Sequence, residues 1–168
     1  YVDAANFDKV KKTIDEKNFD PFIPDYINLY SYKKKGGYEI ANKIKKGVIS
    51  KKQVLDSLNE SGLKGKGGAG FPTGKKWEIV SNYKGKKYVA VNGDEGEPGT
   101  FKDRSYLESD PHRFLEGALI ASYFINAHKV YIYMRDEYPA VIKILIDEIK
   151  KMEDEGIISK DFFIVRRG

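Results

Sequence analysis

The sequence predicts an α/β fold built on a parallel sheet, and three observations point to it. Apolar runs of strand length alternate with helix-length amphipathic stretches through the second half of the chain. Their order is strand, helix, strand, helix, strand, so each pair of strands is joined by a crossover rather than a hairpin. Asn, Gly and Pro stand at the junctions where such units turn. Right-handed crossovers between neighbouring strands follow from that order.

The elements can be justified in turn. Residues 1–57 read as an extended and helical N-terminal region. Phe7, Val10 and Ile14 share helical spacing and predict a short helix from Phe7 to Glu16. Pro21 and Pro24 mark an extended passage. Lys33, Lys34 and Lys35 before Gly36-Gly37 read as a solvated turn. Tyr38 to Lys46 suits a helix. Ser50 with Gln53 forms a capping box that opens another, with Val54, Leu55 and Leu58 on one face and Gly62 as its stop.

Residues 58–168 carry the α/β domain. A glycine-rich segment is followed by a short helix starting just past Gly74. Lys86 to Val91 reads as a strand, and Asn92 to Arg104 as an irregular loop. Asp110-Pro111 supplies an N-cap and a first-turn proline for a helix with Phe114, Leu115, Ala118, Leu119 and Tyr123 on one side. Lys129 to Met134 is the second strand. Pro139 to Glu155 is a second long helix, stopped by Gly156. Asp161 to Val165 is the third strand. No internal repeat interrupts this order.

Composition narrows the function classes. Of 168 residues, 40% are hydrophobic and 13% aromatic, enough for a substantial core and too apolar for a disordered chain. A net charge of +5 favours an anionic partner without choosing among nucleotide, nucleic acid and acidic protein. The chain has no cysteine, so these residues make no disulfide, thiolate zinc site or Fe–S ligation. No apolar run approaches the roughly 20 residues of a membrane span. The opening at Tyr1 and the closing FFIVRRG read as cuts in a longer protein.

Two segments carry candidate chemistry. GLKGKGGAGFPTGKKW, Gly62 to Trp77, holds six glycines and four lysines. Gly65, Gly67 and Gly70 satisfy G-x-G-x-x-G, but a capped helix precedes them where a dinucleotide fingerprint needs a strand. A P-loop reading fails because Ala69 and Lys76 occupy its first-glycine and hydroxyl positions. A flexible basic linker sits badly with Phe71, Pro72 and Trp77, which stiffen the segment. A phosphate cradle of unusual architecture fits better: glycines allow backbone N–H groups close to an anion, and a helix N-terminus adds partial positive charge.

The second segment, NGDEGEPGTFKDR, sets Asp94, Glu95 and Glu97 just after a parallel strand, where α/β folds place ligands. An acidic solvated turn offset by Lys102 and Arg104 is the plain alternative; EF-hand spacing is absent. With phosphate at the lysine–glycine loop, these carboxylates would suit ring donors or ribose hydroxyls. The charge pattern therefore suggests one nucleotide spanning both turns.

Together, GLKGKGGAGFPTGKKW, VNGDEGEPGTFKDRSYLESDPHRFLEGALIA and VYIYMRDEYP closely resemble the flavin-bearing, NADH-binding subunit of respiratory complex I and its relatives. Those relatives include the flavoprotein subunits of NAD(P)-linked hydrogenases and the β subunit of NAD-dependent formate dehydrogenases, the branch these motifs are most similar to. The resemblance covers roughly Ser57 to Gly168 and implies a Rossmann-like FMN-binding domain. It implies that Gly65, Lys66, Gly67 and Gly68 approach FMN, that Lys76 is its polar partner, and that Asn92, Asp94, Glu95 and Gly96 hold it from the strand-end loop. Phe71 would stack on the adenine of NAD, and Glu97 would border the nicotinamide side; Ile79 stands where relatives often carry a second aromatic. Relatives continue into a further flavin loop, a ubiquitin-like domain and a helical domain binding a [4Fe–4S] cluster, so the resemblance implies only part of the flavin pocket here.

The implied activity is hydride transfer between NAD(H) and FMN, with electrons exchanged with Fe–S subunits, among them a thioredoxin-like [2Fe–2S] subunit, in the cytoplasm. The implied chemistry belongs to the cofactors and calls for no catalytic side chain. His112 and His128 read as structural. Tyr131 and Tyr133 read as strand alternation. A basic nucleic-acid-binding module is the alternative from another class, with the acidic loop standing against it.

Overall fold

The computed structural model describes residues 21–66 and 68–168, so the helix expected at Phe7 to Glu16 lies outside the described residues. In chain order the elements are α1 (Leu29–Lys34), α2 (Glu39–Lys45), α3 (Lys51–Glu60), α4 (Thr73–Asn82), β1 (Lys87–Gly93), α5 (Lys102–Ser109), α6 (Pro111–Ile125), β2 (Ala127–Met134), α7 (Pro139–Asp154) and β3 (Phe163–Arg167). The expected capping box at Ser50 and Gln53 forms as read. Asp110 accepts from the Arg113 amide at the start of α6, with Pro111 in the first turn.

The three strands pair in parallel in the order β1-β2-β3, with Ala90 opposite Tyr131 and Tyr131 opposite Ile164. Alternation splits their side chains between two faces. Val130, Ile132, Met134 and Phe163 face inward against Leu115, Leu119, Val141 and Leu145 of α6 and α7. Tyr88, Ala90 and Asn92 emerge on the other side, in line with Tyr131 and Tyr133.

Leu29, Tyr38 and Ala41 from the N-terminal region join the same core. Two buried carboxylates fasten this region to the long helices. Glu148 of α7 is fully buried and accepts from the Tyr26 hydroxyl at 2.7 Å, the Leu29 amide at 3.0 Å and the Lys151 ammonium at 2.6 Å. His112 Nε2 stands 2.8 Å from the same carboxylate, and its Nδ1 stands 2.8 Å from the Tyr38 hydroxyl. Burial would raise the pKa of Glu148, but His112, Lys151, Tyr26 and the Leu29 amide together hold it down at about 2. Glu116 of α6 accepts from the Tyr32 hydroxyl and the Tyr38 and Ala41 amides.

Several sequence expectations need correction. Lys33 and Lys34 do not lie in a turn; they end α1, and Lys33 pairs with Glu155. Tyr38 precedes its helix rather than opening it, held at φ 66° with its amide on Glu116. Asn92 and Gly93 complete β1, and the supposedly irregular loop ends in α5. His128 lies within β2, edge-on to Tyr88. β3 begins at Phe163 and runs on to Arg167.

Candidate functional site

The glycine segment is a closed loop. The Gly65 amide donates to the Phe71 carbonyl and the Thr73 amide to the Leu63 carbonyl, each at 2.9 Å. Between these bonds Gly68 and Gly70 take φ of +95° and +59°, values that side-chain-bearing residues resist. Gly67 lies outside the described residues. Lys66 and Gly68 are exposed at the loop tip.

The loop feeds directly into α4, whose first turn receives no side-chain cap. Such an end offers backbone N–H groups and partial positive charge to an anion. Trp77 in the middle of α4 rests on Phe124 of α6, ring centroids 5.6 Å apart, which fixes the helix against the domain. Gly65, Phe71 and Lys76 line a cavity of about 310 Å³ together with Trp77, Tyr88 and Ala90. Phe71 keeps 44% of its surface exposed at this cavity, and Ile79 beyond it is 42% exposed.

The acidic turn starts on the same strand. Asn92 follows Ala90 on the same side of β1, about 7 Å further along. Its Oδ1 accepts from the Asp94 amide at 3.0 Å, which bends the chain out of the strand. Gly93 is required here: a Cβ would overlap the Met134 sulfur across the sheet. Asp94, Gly96 and Glu97 are exposed beyond the bend.

Glu95 behaves differently from its neighbours. Only 3% of it is exposed, and its carboxylate accepts from the Asp103 amide at 3.0 Å, the Arg104 amide at 3.3 Å and the Tyr138 hydroxyl at 3.2 Å. It is a long-range N-cap for α5, which has no local one. Burial would raise its pKa, but the two amides, Tyr138 and Lys102 outweigh that and hold it below the usual carboxylate range. The carboxylate expected to face a flavin therefore points inward to α5, leaving Asp94 and Glu97 as the outward charges.

Two residues that sequence reading did not single out shape this turn. Arg135 donates from Nη1 to the Glu95 carbonyl, and its guanidinium stands 5.3 Å from the Tyr138 ring centre. The pairing of Gly93 with Met134 puts Arg135 beside the turn, a relation that no local spacing reveals. Among the described residues no cluster of three or more His, Asp or Glu suits a metal, and no helix is long and apolar enough to cross a membrane.

Fold and site define a Rossmann-like α/β nucleotide-binding domain. The chain belongs to the Nuo51 FMN-binding domain family, whose model matches residues 58–166. It is 44% identical over 138 residues to an NADH-quinone oxidoreductase subunit of Aquifex aeolicus, covering 82% of this chain and 32% of the relative. It is 41% identical over 142 residues to the NADP-reducing hydrogenase subunit HndC of Solidesulfovibrio fructosivorans, covering 84% and 27%. A crystal structure of an NAD⁺-reducing [NiFe]-hydrogenase superposes with a TM-score of 0.69 at 25% identity, over 99% of this chain and 31% of that one. The chain thus spans about a third of the length of the curated relatives it matches.

Proposed function

We propose that this chain is the flavin-holding part of an NAD-linked oxidoreductase subunit, one that exchanges a hydride between NAD(H) and FMN and electrons with Fe–S partners. The observation that carries this reading is the placement of Gly65, Phe71 and Lys76 in one cavity against β1, the strand that leads into the acidic turn. The donor set suits FMN. An uncapped helix start and Lys76 match a phosphate, while Asn92, Asp94 and the exposed backbone at Gly96 match ring and hydroxyl donors. Lys66 and Gly68 belong to the same loop. Glu95 contributes by holding the turn in place. When bound, the flavin supplies two-electron exchange with nicotinamide and one-electron exchange with Fe–S clusters.

Phe71 offers an exposed ring for adenine stacking, and Glu97 an outward carboxylate at the nicotinamide side. The motif version favours the formate dehydrogenase β subunit among the relatives. The reading extends to a [4Fe–4S] cluster elsewhere in the full-length subunit, a thioredoxin-like [2Fe–2S] partner, and a cytoplasmic site on a larger complex. A division at residues 57 and 58 goes with it.

The test is uptake of FMN by the full chain, followed by flavin fluorescence and absorption after removal of free flavin. Bound flavin, reduced in amount by Lys76→Ala, is the expected result. A chain that takes up no FMN but binds oligonucleotides with steep salt dependence would overturn it.

A further inference from the structure

The positive charge of this chain is concentrated away from the flavin cleft. Residues 33–52 contain eight lysines and one glutamate, so this stretch alone is more positive than the whole chain at +5. Among the described residues, no carboxylate pairs with Lys43, Lys45, Lys46, Lys51 or Lys52. Unpaired lysines at this density raise a local potential that attracts anions.

Beneath two of these lysines lies a groove of about 540 Å³ between the α2–α3 connection and the end of α6. Its walls include Ile44, Ile49, Tyr123 and Phe162, with Lys45 and Lys51 at the rim. The ammonium of Lys45 stands 5.9 Å from the Tyr123 ring centre, and that of Lys51 5.8 Å from Phe124, so aromatic faces hold both charges at the groove. Val48, 67% exposed, projects from the same connection. The groove also contains Asn126 and Ala127 at the start of β2, with Phe162 just before β3. It therefore opens at the N-terminal ends of the strands, whereas the acidic turn follows the C-terminal end of β1.

We propose that this groove docks an acidic segment of a partner polypeptide, one that sets an aliphatic or aromatic side chain between Ile44, Ile49 and Phe162 while its carboxylates meet Lys45 and Lys51. Charge complementarity selects an anion, and the apolar walls select a polypeptide over a phosphate backbone, which has no side chain to place there. The concave shape suits an inserted side chain better than a flat lipid surface. Docking at this end leaves the nucleotide cleft open. The inference stands whether or not FMN binds at the other end.

The test measures fluorescence anisotropy of the full chain with a short labelled peptide of glutamate and leucine. Parallel probes are a glutamate–serine peptide, a single-stranded oligodeoxynucleotide and phosphatidylserine vesicles. The expected result is tightest binding of the glutamate–leucine peptide, weakened by salt and by roughly tenfold in Lys45→Glu/Lys51→Glu. Carbodiimide should join that peptide to lysines at the groove rim in the parent chain. Circular dichroism and FMN uptake, read separately, establish that the variant is folded and that the distant cleft is intact. Absence of peptide binding, binding unaffected by the double substitution, or equal or tighter binding of any of the other three probes would overturn the proposal.

Discussion

The Tyr138 hydroxyl stands 3.2 Å from Oε2 of Glu95, joining the start of α7 to the turn that follows β1. Arg135 closes the arrangement from the end of β2 by bonding the Glu95 carbonyl. Backbone and side chain of one residue are thus held from two elements, and the exposed residues on either side inherit that position.

Glu95→Ala should cost roughly 1–3 kcal/mol, because the Asp103 and Arg104 amides and a buried hydroxyl all lose their acceptor. Tyr138→Phe removes one of those bonds and should cost about 1 kcal/mol. Urea denaturation measures both. A Glu95→Ala loss no larger than that of Tyr138→Phe would show that the α5 cap carries no weight.

Lys76→Ala should weaken FMN binding by roughly tenfold, the size of one charge-assisted contact. Flavin per chain after gel filtration is the readout. An unchanged value removes Lys76 from the cradle.

Glu97→Gln and Phe71→Ala should alter NADH affinity while leaving flavin content near that of the parent. Titration of the flavin-loaded full-length subunit with NADH separates the two effects. Equal loss of both ligands would mean that these residues support the flavin instead.

Glu148→Leu should cost roughly 3–5 kcal/mol, since it strands His112, Tyr26 and the Leu29 amide in a buried place. The pH dependence has a definite sign. With a folded pKa near 2, below the unfolded value of about 4.3, Glu148 contributes stability that is full above the unfolded pKa and fades as pH falls toward 2. The difference in urea midpoint between parent and variant should therefore begin to narrow near about pH 5 and go on narrowing as pH falls through about 2, a window set by those two pKa values. A constant difference would place the stabilisation elsewhere.

Much of this architecture was legible in the residues. Alternation in KYVAV and KVYIYM marked strands, and Asp110-Pro111 and Ser50–Gln53 marked helix starts, because those signals are local. α5 was not legible: Leu107 is its one buried residue, its neighbours Phe101 and Tyr106 are exposed, and its cap comes from Glu95 well upstream. The same non-local bond made Glu95 read as an outward carboxylate. Arg135 and Tyr138 escaped notice because only strand pairing brings them to the turn. The lysine and glycine positions around the cavity were visible as a pattern, but which strand they would face was not.

The family model begins at residue 58, yet Tyr26, Leu29, Tyr32, Tyr38 and Ala41 supply partners of Glu116 and Glu148. Cutting at that border would strip Glu116 of these three partners and leave Glu148 with only His112 and Lys151. Anyone shortening this polypeptide should keep everything from Tyr26 onward, or change both acids to neutral residues at the same time.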